Sequence, residues 1–358
     1  MSRTSNTSAV AVFGAAGHTG RFVVDELGRQ GLRAIRIGRD AEKLQAVEGA
    51  ARHGPPRIAN VEDEASLDAA LAGAAAVINC AGPFFDTAIP LVDAALRADI
   101  PYLDIAPEQA VVRSVFDMRG ESARAAGVTI LPGAAFYGGL ADLLASAIVG
   151  DDHIADEIIV AVGLDSWHPT KGTRLTGERN SVPRVIQHAG RLQQLALPSP
   201  TGHWDFPAPI GRREVVGTPL SEIITLASHL RVASIHSWMN VEPLRDLHDV
   251  ATPLPRPIDD SGRSSQQFAV DVIAKRNGSV SRATATGCDI YHVSAPIVVE
   301  AVQRLLAGDV KPGGGVLALG AIFEARSFLS ALGASGLTVS YSVVPETFSK
   351  DKSHDNGR

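Results

Sequence analysis

The chain of 358 residues has only two cysteines, Cys80 and Cys288, with no CxxC spacing and no histidine pairing. That excludes a disulfide framework and argues against a structural zinc site. It has no excess of positive charge: 33 Lys and Arg stand against 39 Asp and Glu, a net charge of −6. Without a basic field, neither nucleic acid nor an anionic membrane is an expected partner, and a small-molecule substrate becomes the default. It has no long apolar run either. GGGVLALGAIF (313–323) stops at Glu324 and Arg326 and is too short to span a bilayer. MSRTSNTSAV at the start lacks the basic and apolar regions of a secretory signal, so the expected location is cytoplasmic. No repeat of fixed period is visible.

What is present is an ordinary globular composition, 45% hydrophobic and 20% charged, in a chain long enough for about two domains. Short apolar runs at AVAVFG (9–14), RAIRIG (33–38), AAVINCAG (75–82), PYLDIA (101–106) and VTILPG (128–133), with a weaker one near 57–61, alternate with amphipathic segments. Phe22, Val23, Glu26 and Leu27 keep helical spacing, as do Ile89, Val92, Ala95 and Leu96, and Gly31, Asp99 and Gly127 fall where helices should stop. This rhythm predicts repeated βαβ units and a parallel sheet.

Later the segments become longer and β-rich. SQQFAVDVIAK and SVSRATATGCDI flank Asn277-Gly278, a hairpin signal, and 250–265 is a proline-rich surface connection. YHVSAPIVVEAVQRLLAGD and LGAIFEARSFLSALGASG read as two helices before a strand at LTVSYSV. The predicted fold class is α/β, an N-terminal Rossmann-type doubly wound parallel sheet with a second β-rich α+β domain. The expected bounds are 1–138 for the first domain, rejoined by about 318–344, then 139–317 for the second and 345–358 as a loose tail.

A strand followed directly by Gly14-Ala15-Ala16-Gly17-His18-Thr19-Gly20 and a helix is the context of a dinucleotide site. Gly14 permits the sharp exit from the strand, Gly17 clears space for a pyrophosphate, and Gly20 lets the helix lie near the sheet. The phosphates would meet the positive helix end and its free amides, with Ala16, His18 and Thr19 as further contacts. The second strand ends in Ile37-Gly38-Arg39-Asp40, where an arginine accommodates the 2′-phosphate of NADP and an acidic residue the ribose hydroxyl of NAD. Arg39 comes first, Asp40 is placed to cap AEKLQAV, and Lys43 adds a second cation one turn on. The reading is NADP, with NAD held through Asp40 as the alternative.

GAAGHTGRFVV, GRDAEKL, VINCAGPF and YLDIAPE together resemble the saccharopine dehydrogenase-like NAD(P)-binding oxidoreductase family, and GCDIYHVSAPIVVEAVQRLLAG with PGGGV is similar to its C-terminal part. The resemblance implies a Rossmann domain with a second domain that sets substrate choice and often pairs subunits, hence a homodimer. It carries the cofactor contacts onto the glycine loop, Arg39 and the segment Asn79, Cys80, Ala81, Gly82, Pro83 and Phe84. The implied activity is hydride transfer from NADPH to an imine, a carbonyl or an activated alkene. Trans-acting enoyl reduction of carrier-bound acyl chains and a non-catalytic NAD(P)-sensing regulator are the alternatives.

No tyrosine begins a YxxxK: Ala106, Ala141, Ala295 and Pro345 occupy the fourth places after Tyr102, Tyr137, Tyr291 and Tyr341. Proton-donor candidates are therefore Tyr137 in PGAAFYGG, His168 and Lys171 in DSWHPTKGTR, and Tyr291 or His292. The catalytic set chosen is Tyr137, Lys171 and Tyr291; no metal is expected. TKGTRLTGERNS (170–181), with Lys171, Arg174 and Arg179, reads either as an anion-binding loop or as a solvated one, and Asp104 ends the fifth strand where α/β sites keep polar residues.

Overall fold

Each apolar run read between residues 9 and 133 becomes a strand of one parallel sheet. The computed structural model describes residues 8–47, 54–311 and 313–344. The expected loose tail and the polar N-terminal residues 1–7 lie outside the described residues. The strands are β1 (Ala9–Phe13), β2 (Arg33–Gly38), β3 (Arg57–Ile58), β4 (Ala76–Asn79), β5 (Tyr102–Asp104) and β6 (Thr129–Leu131). Their order is β6-β5-β4-β1-β2-β3, all parallel, so the order reverses between β1 and β4. This is the doubly wound arrangement, and its ligand crevice lies beyond the strand ends at that reversal.

The crossovers are α1 (His18–Arg29), α2 (Ala41–Gln45), α3 (Glu64–Leu71), α4 (Phe84–Arg97) and α5 (Gln109–Ala126). Side chains start two of them: Asp40 accepts from Lys43 N–H and Asp63 from Ser66 N–H, satisfying first-turn donors. Gly127, at φ 69°, ends α5 in the left-handed conformation that glycine enters without penalty. Asp99, at φ 55°, makes the corresponding turn after α4.

The second sheet runs β10 (Thr201–Asp205), β11 (Arg212–Gly217), β12 (Arg231–Asn240), β7 (Ile154–Leu164), β13 (Gln267–Arg276), β14 (Ser279–Cys288), β16 (Thr338–Val344). A hairpin of β8 (Val185–His188) and β9 (Arg191–Gln194) pairs with β12. As read from the sequence, Asn277-Gly278 joins β13 to β14, with Arg276 opposite Ser279 and both turn residues at positive φ. Helices α6 (Gly139–Val149) and α10 (Ile290–Ala307) complete a core shared by both sheets. One buried cluster runs from Val10, Val12 and Ile78 of the first sheet through Leu143 and Val298 to Val160 and Val272 of the second.

The C-terminal part corrects the expected domain bounds. The first sheet is rejoined by β15 (Gly315–Val316), parallel to β6, whereas β16 pairs antiparallel with β14 in the second sheet. The expected single helix over LGAIFEARSFLSALGASG is broken into α11 (Leu319–Ile322) and α12 (Ala325–Ala331), because the Glu324 carboxylate caps the second piece through Arg326 and Ser327 N–H. TKGTRLTGERNS corrects the reading as well: it contains a helix, α7 (Lys171–Arg179), capped by Thr170. The remaining helices are α8 (Glu222–His229) and α9 (Val241–His248).

Candidate active site

The glycine loop leaves β1 at the reversal point. Gly14, at φ 81°, donates to Ile37 C=O (2.9 Å), and a Cβ there would press on Ala81. A Cβ on Gly20 would overlap the Gly14 carbonyl oxygen. These two glycines are therefore required by the fold itself. Gly17 differs: it is exposed, its φ of −71° suits any residue, and an added Cβ would touch only the Gly14 oxygen, at 3.0 Å. It caps α1 without a side chain, and the first intrahelical bond is Arg21 N–H to Gly17 C=O (3.1 Å), so the amides of His18, Thr19 and Gly20 precede the ladder. Open space beside a helix N-terminus is what an anion needs. Arg21, which the sequence reading overlooked, donates Nε–H to Ala16 C=O (3.3 Å) and places another cation on this loop.

At the end of β2, Asp40 is occupied, capping α2 and pairing with Lys43 Nζ at 2.7 Å. Lys43 is thereby tied to Asp40. Arg39 is exposed and makes no hydrogen bond or ion pair among the described residues.

The β4–α4 segment forms the other side of the crevice. Asn79 is fully buried, with its amide N–H groups on Thr87 Oγ1 (3.0 Å) and Tyr102 Oη (3.2 Å) and its oxygen on Ala81 N–H (3.0 Å). It shapes the crevice from behind. Ala81 and Pro83 are half-buried and Gly82 exposed, and the Gly82-Pro83 bond is cis. Burial and the nearby Asp104 charge push the Cys80 thiol up, so it is an inert small side chain. Helix α7 of the second domain reaches this segment: a Cβ on Gly82 would lie 2.8 Å from Thr176 Oγ1, and Arg179 pairs with Asp86 at 2.7 Å. Arg174 instead holds the carbonyls of Asp249 (3.1 Å) and Thr252 (2.9 Å). Of the three cations read as an anion site, only Lys171, exposed at the start of α7, lacks a partner among the described residues.

The tyrosines separate. Tyr291 Oη accepts from Trp167 Nε1–H (2.9 Å) and shares a hydrogen bond with Thr173 Oγ1 (3.0 Å), so its hydroxyl is already engaged. Its ring meets His18 of the glycine loop edge-on at 5.2 Å, so it joins the two domains. His18 is pulled below its usual pKa by burial, opposed by Asp289, and its Nε2 has no partner. His292 packs on Phe22. Tyr137 lies against Phe136 and Trp167, and its buried hydroxyl has no partner. Burial pushes its pKa well up, so it is a neutral donor.

Two carboxyls that the sequence reading left aside or missed sit behind these groups. Asp104 is fully buried and accepts from Tyr102 Oη (2.9 Å), Ala106 N–H (3.0 Å) and Gly133 N–H (2.7 Å). Glu108, at the N-cap of α5, is also fully buried, yet neither oxygen has a hydrogen-bond partner. A cavity of about 340 Å³ lies elsewhere, at the hairpin end of the second sheet beside Arg276 and Asn277, and plays no part in this crevice. Among the described residues, no cluster of metal-ligating side chains occurs and no helix is long and apolar enough to cross a membrane.

Residues 10–131 match the family model of the saccharopine dehydrogenase NADP binding domain. The likeness to that family covers the first sheet and its glycine loop. A saccharopine dehydrogenase-like oxidoreductase of Mus musculus is 31% identical over 152 residues, covering 37% of this chain and 35% of that protein. A trans-acting enoyl reductase of Mycobacterium tuberculosis (strain ATCC 25177 / H37Ra) is 27% identical over 137 residues, 37% of this chain and 33% of that protein. These alignments span only about a third of the curated relatives. The apo saccharopine dehydrogenase (L-Glu forming) of Saccharomyces cerevisiae superimposes over 94% of this chain and all of that one, with a TM-score of 0.63 at 14% identity. The saccharopine dehydrogenase fold thus extends over both sheets, while the sequence likeness to the family model lies in the sheet that carries the glycine loop.

Proposed function

We propose that this protein is an NADPH-dependent oxidoreductase that reduces an imine, carbonyl or activated alkene of a small metabolite. The observation that carries the reading is Gly17: the one loop glycine the fold does not itself require stands exposed at the start of α1, where an anion meets free amides. When bound, NADPH supplies the hydride from its nicotinamide C4. Gly17 and the first-turn amides of α1 bind the pyrophosphate. Arg39 takes the 2′-phosphate, a role supported by its lack of other partners and by the engagement of Asp40 with Lys43. Ala81, Gly82 and Pro83 flank the nicotinamide half, and α7 covers it from the second domain through Thr176. Tyr137 orients the acceptor through a hydrogen bond from its otherwise unpartnered hydroxyl. The mycobacterial relative keeps activated alkenes among the acceptors.

Calorimetric titration with NADPH and NADH tests the assignment. NADPH is expected to bind at least about tenfold more tightly, the contribution of a charge-assisted contact, and Arg39→Ala to remove that preference. Equal losses for both cofactors would remove Arg39 from the 2′-phosphate. Binding of neither would leave the glycines as turn formers and end the oxidoreductase reading, and NADPH binding without oxidation by imine, carbonyl or enoyl acceptors would favour a sensor.

A further inference from the structure

Buried polar atoms without partners are costly, about 1–3 kcal/mol each, and a fold collects them in one place only when something else uses them. Four such atoms lie around the ends of β5 and β6, while others, among them Ser146 Oγ and His153 Nδ1, are single and scattered through the fold. Both oxygens of Glu108, the Oγ of Ser221 and the Oη of Tyr137 are buried and unpartnered. Ser221 N–H donates to Pro107 C=O (3.0 Å), beside Glu108 in the chain. A Cβ on Gly138, the residue after Tyr137, would lie 2.8 Å from Ser221 Oγ. These groups stand on the β4-β5-β6 side of the reversal point, the half of the crevice that receives the second nucleotide of a dinucleotide.

Glu108 stands out because its sequence position offers it an obvious structural role that it does not take. At an N-cap, a side chain normally accepts from a first-turn amide, and the Glu108 carboxylate makes no such bond. The N–H groups of Phe84 and of Glu108 itself are close enough to favour its ionisation, but neither meets hydrogen-bond geometry. Asp104 is the charged group whose field reaches it, and from the second domain the neighbouring loop presents the neutral Ser221. Burial pushes both carboxyls up, but on Asp104 three donors oppose it and on Glu108 none meets hydrogen-bond geometry, so the negative charge of the pair belongs on Asp104 and the proton on Glu108. Burial, together with the Asp104 charge, pushes the Glu108 carboxyl up to about 8, leaving it mostly neutral at pH 7.

We propose that Glu108 is the proton donor of the reaction, its carboxyl facing the acceptor beside the nicotinamide. This rests on the cofactor reading above. In the step, the C4–H bond of NADPH breaks and its electron pair forms a C–H bond on the acceptor. The Glu108 O–H bond breaks as its proton passes to the acceptor nitrogen, oxygen or adjacent carbon. The glutamate becomes an anion as the nicotinamide becomes a cation, and solvent returns the proton after product leaves. Charge is thus balanced inside a crevice that water does not screen.

The pairing can be tested without knowing the acceptor, because NADP+ carries the nicotinamide charge and NADPH does not. Calorimetry in two buffers of different ionisation enthalpy reads the protons released on binding. At pH 7, NADP+ is expected to release roughly one proton more than NADPH, and the difference is expected to vanish near pH 10, where Glu108 is already ionised. Glu108→Gln is expected to bind both forms and release no extra proton. If both forms bind wild type with equal proton release at pH 7, or if Glu108→Gln keeps the difference, the proposal is overturned and the cofactor site stands. If neither form binds, the cofactor reading itself fails. Should Glu108→Gln not fold, the comparison of pH 7 with pH 10 on the wild-type protein still decides.

Discussion

A methyl group added at Gly20 would overlap the Gly14 carbonyl oxygen, whereas one at Gly17 would meet that oxygen at 3.0 Å and otherwise point into open space. The two alanine variants therefore separate the glycine's two uses. Gly20→Ala forces α1 away from the loop and is expected to cost several kcal/mol of stability, a clash deep in a packed element. Gly17→Ala is expected to unfold within about 1 kcal/mol of wild type, since its backbone is ordinary, and to lose at least about tenfold in NADPH affinity. Denaturant midpoints and calorimetry on both proteins check this; Gly17→Ala binding NADPH like wild type would mean that no phosphate approaches there. The glycine spacing was legible because it encodes backbone geometry. Glu108 was not, although YLDIAPE stood in plain view, because spacing does not report that a carboxyl is buried with nothing to bond it. A glutamate following a proline just past a strand end, on the crevice side, was the only signal.

At the scale of elements, α7 decides how the second domain reaches the cofactor. Its threonines form a short chain: Thr170 Oγ1 caps the helix and lies 2.9 Å from Thr173 Oγ1, which lies 3.0 Å from Tyr291 Oη. Thr173→Val removes the hydroxyl that shares a hydrogen bond with the Tyr291 phenol and leaves that bond unmade. A loss of about 1–3 kcal/mol in urea unfolding is expected, with little change in the secondary structure seen by circular dichroism. An unchanged midpoint would show that α7 does not hold Tyr291 through this chain. The sequence concealed this helix because Gly172, Gly177, Thr173 and Thr176 make it a poor helix former; its start is fixed by the Thr170 cap and its place by Thr176 against Gly82. The strands of the first sheet were legible for the opposite reason, as unbroken apolar runs such as AVAVF, buried on both faces.

Across the whole molecule, the chain crosses between its two sheets more often than its sequence announces. After α10 it returns to the first sheet for β15 and then ends the second with β16. Alternation in LTVSYSV identified a strand, but alternation cannot say which sheet it joins; the long edge of β14 decided that, pairing Thr338 to Thr286 through Val344 to Val280. One apolar cluster, running from Val10 in β1 to Val272 in β13, joins the two sheets, although each sheet also packs a cluster of its own: Phe13, Ile37 and Val77 in the first, Ala161, Phe206 and Ala269 in the second. Removing the chain from Leu337 onward unpairs β14 and removes a side chain that is 4% exposed. A loss of several kcal/mol is therefore expected from that truncation, which lies far from the glycine loop. With a shared core, the loss falls on both domains together: calorimetry should show one transition in wild type and in the truncated protein, lower in the latter and raised in both by saturating NADPH. Two transitions, with the NADPH-sensitive one left at its wild-type temperature, would mean that the first domain folds on its own and that the shared cluster does not couple it to the second.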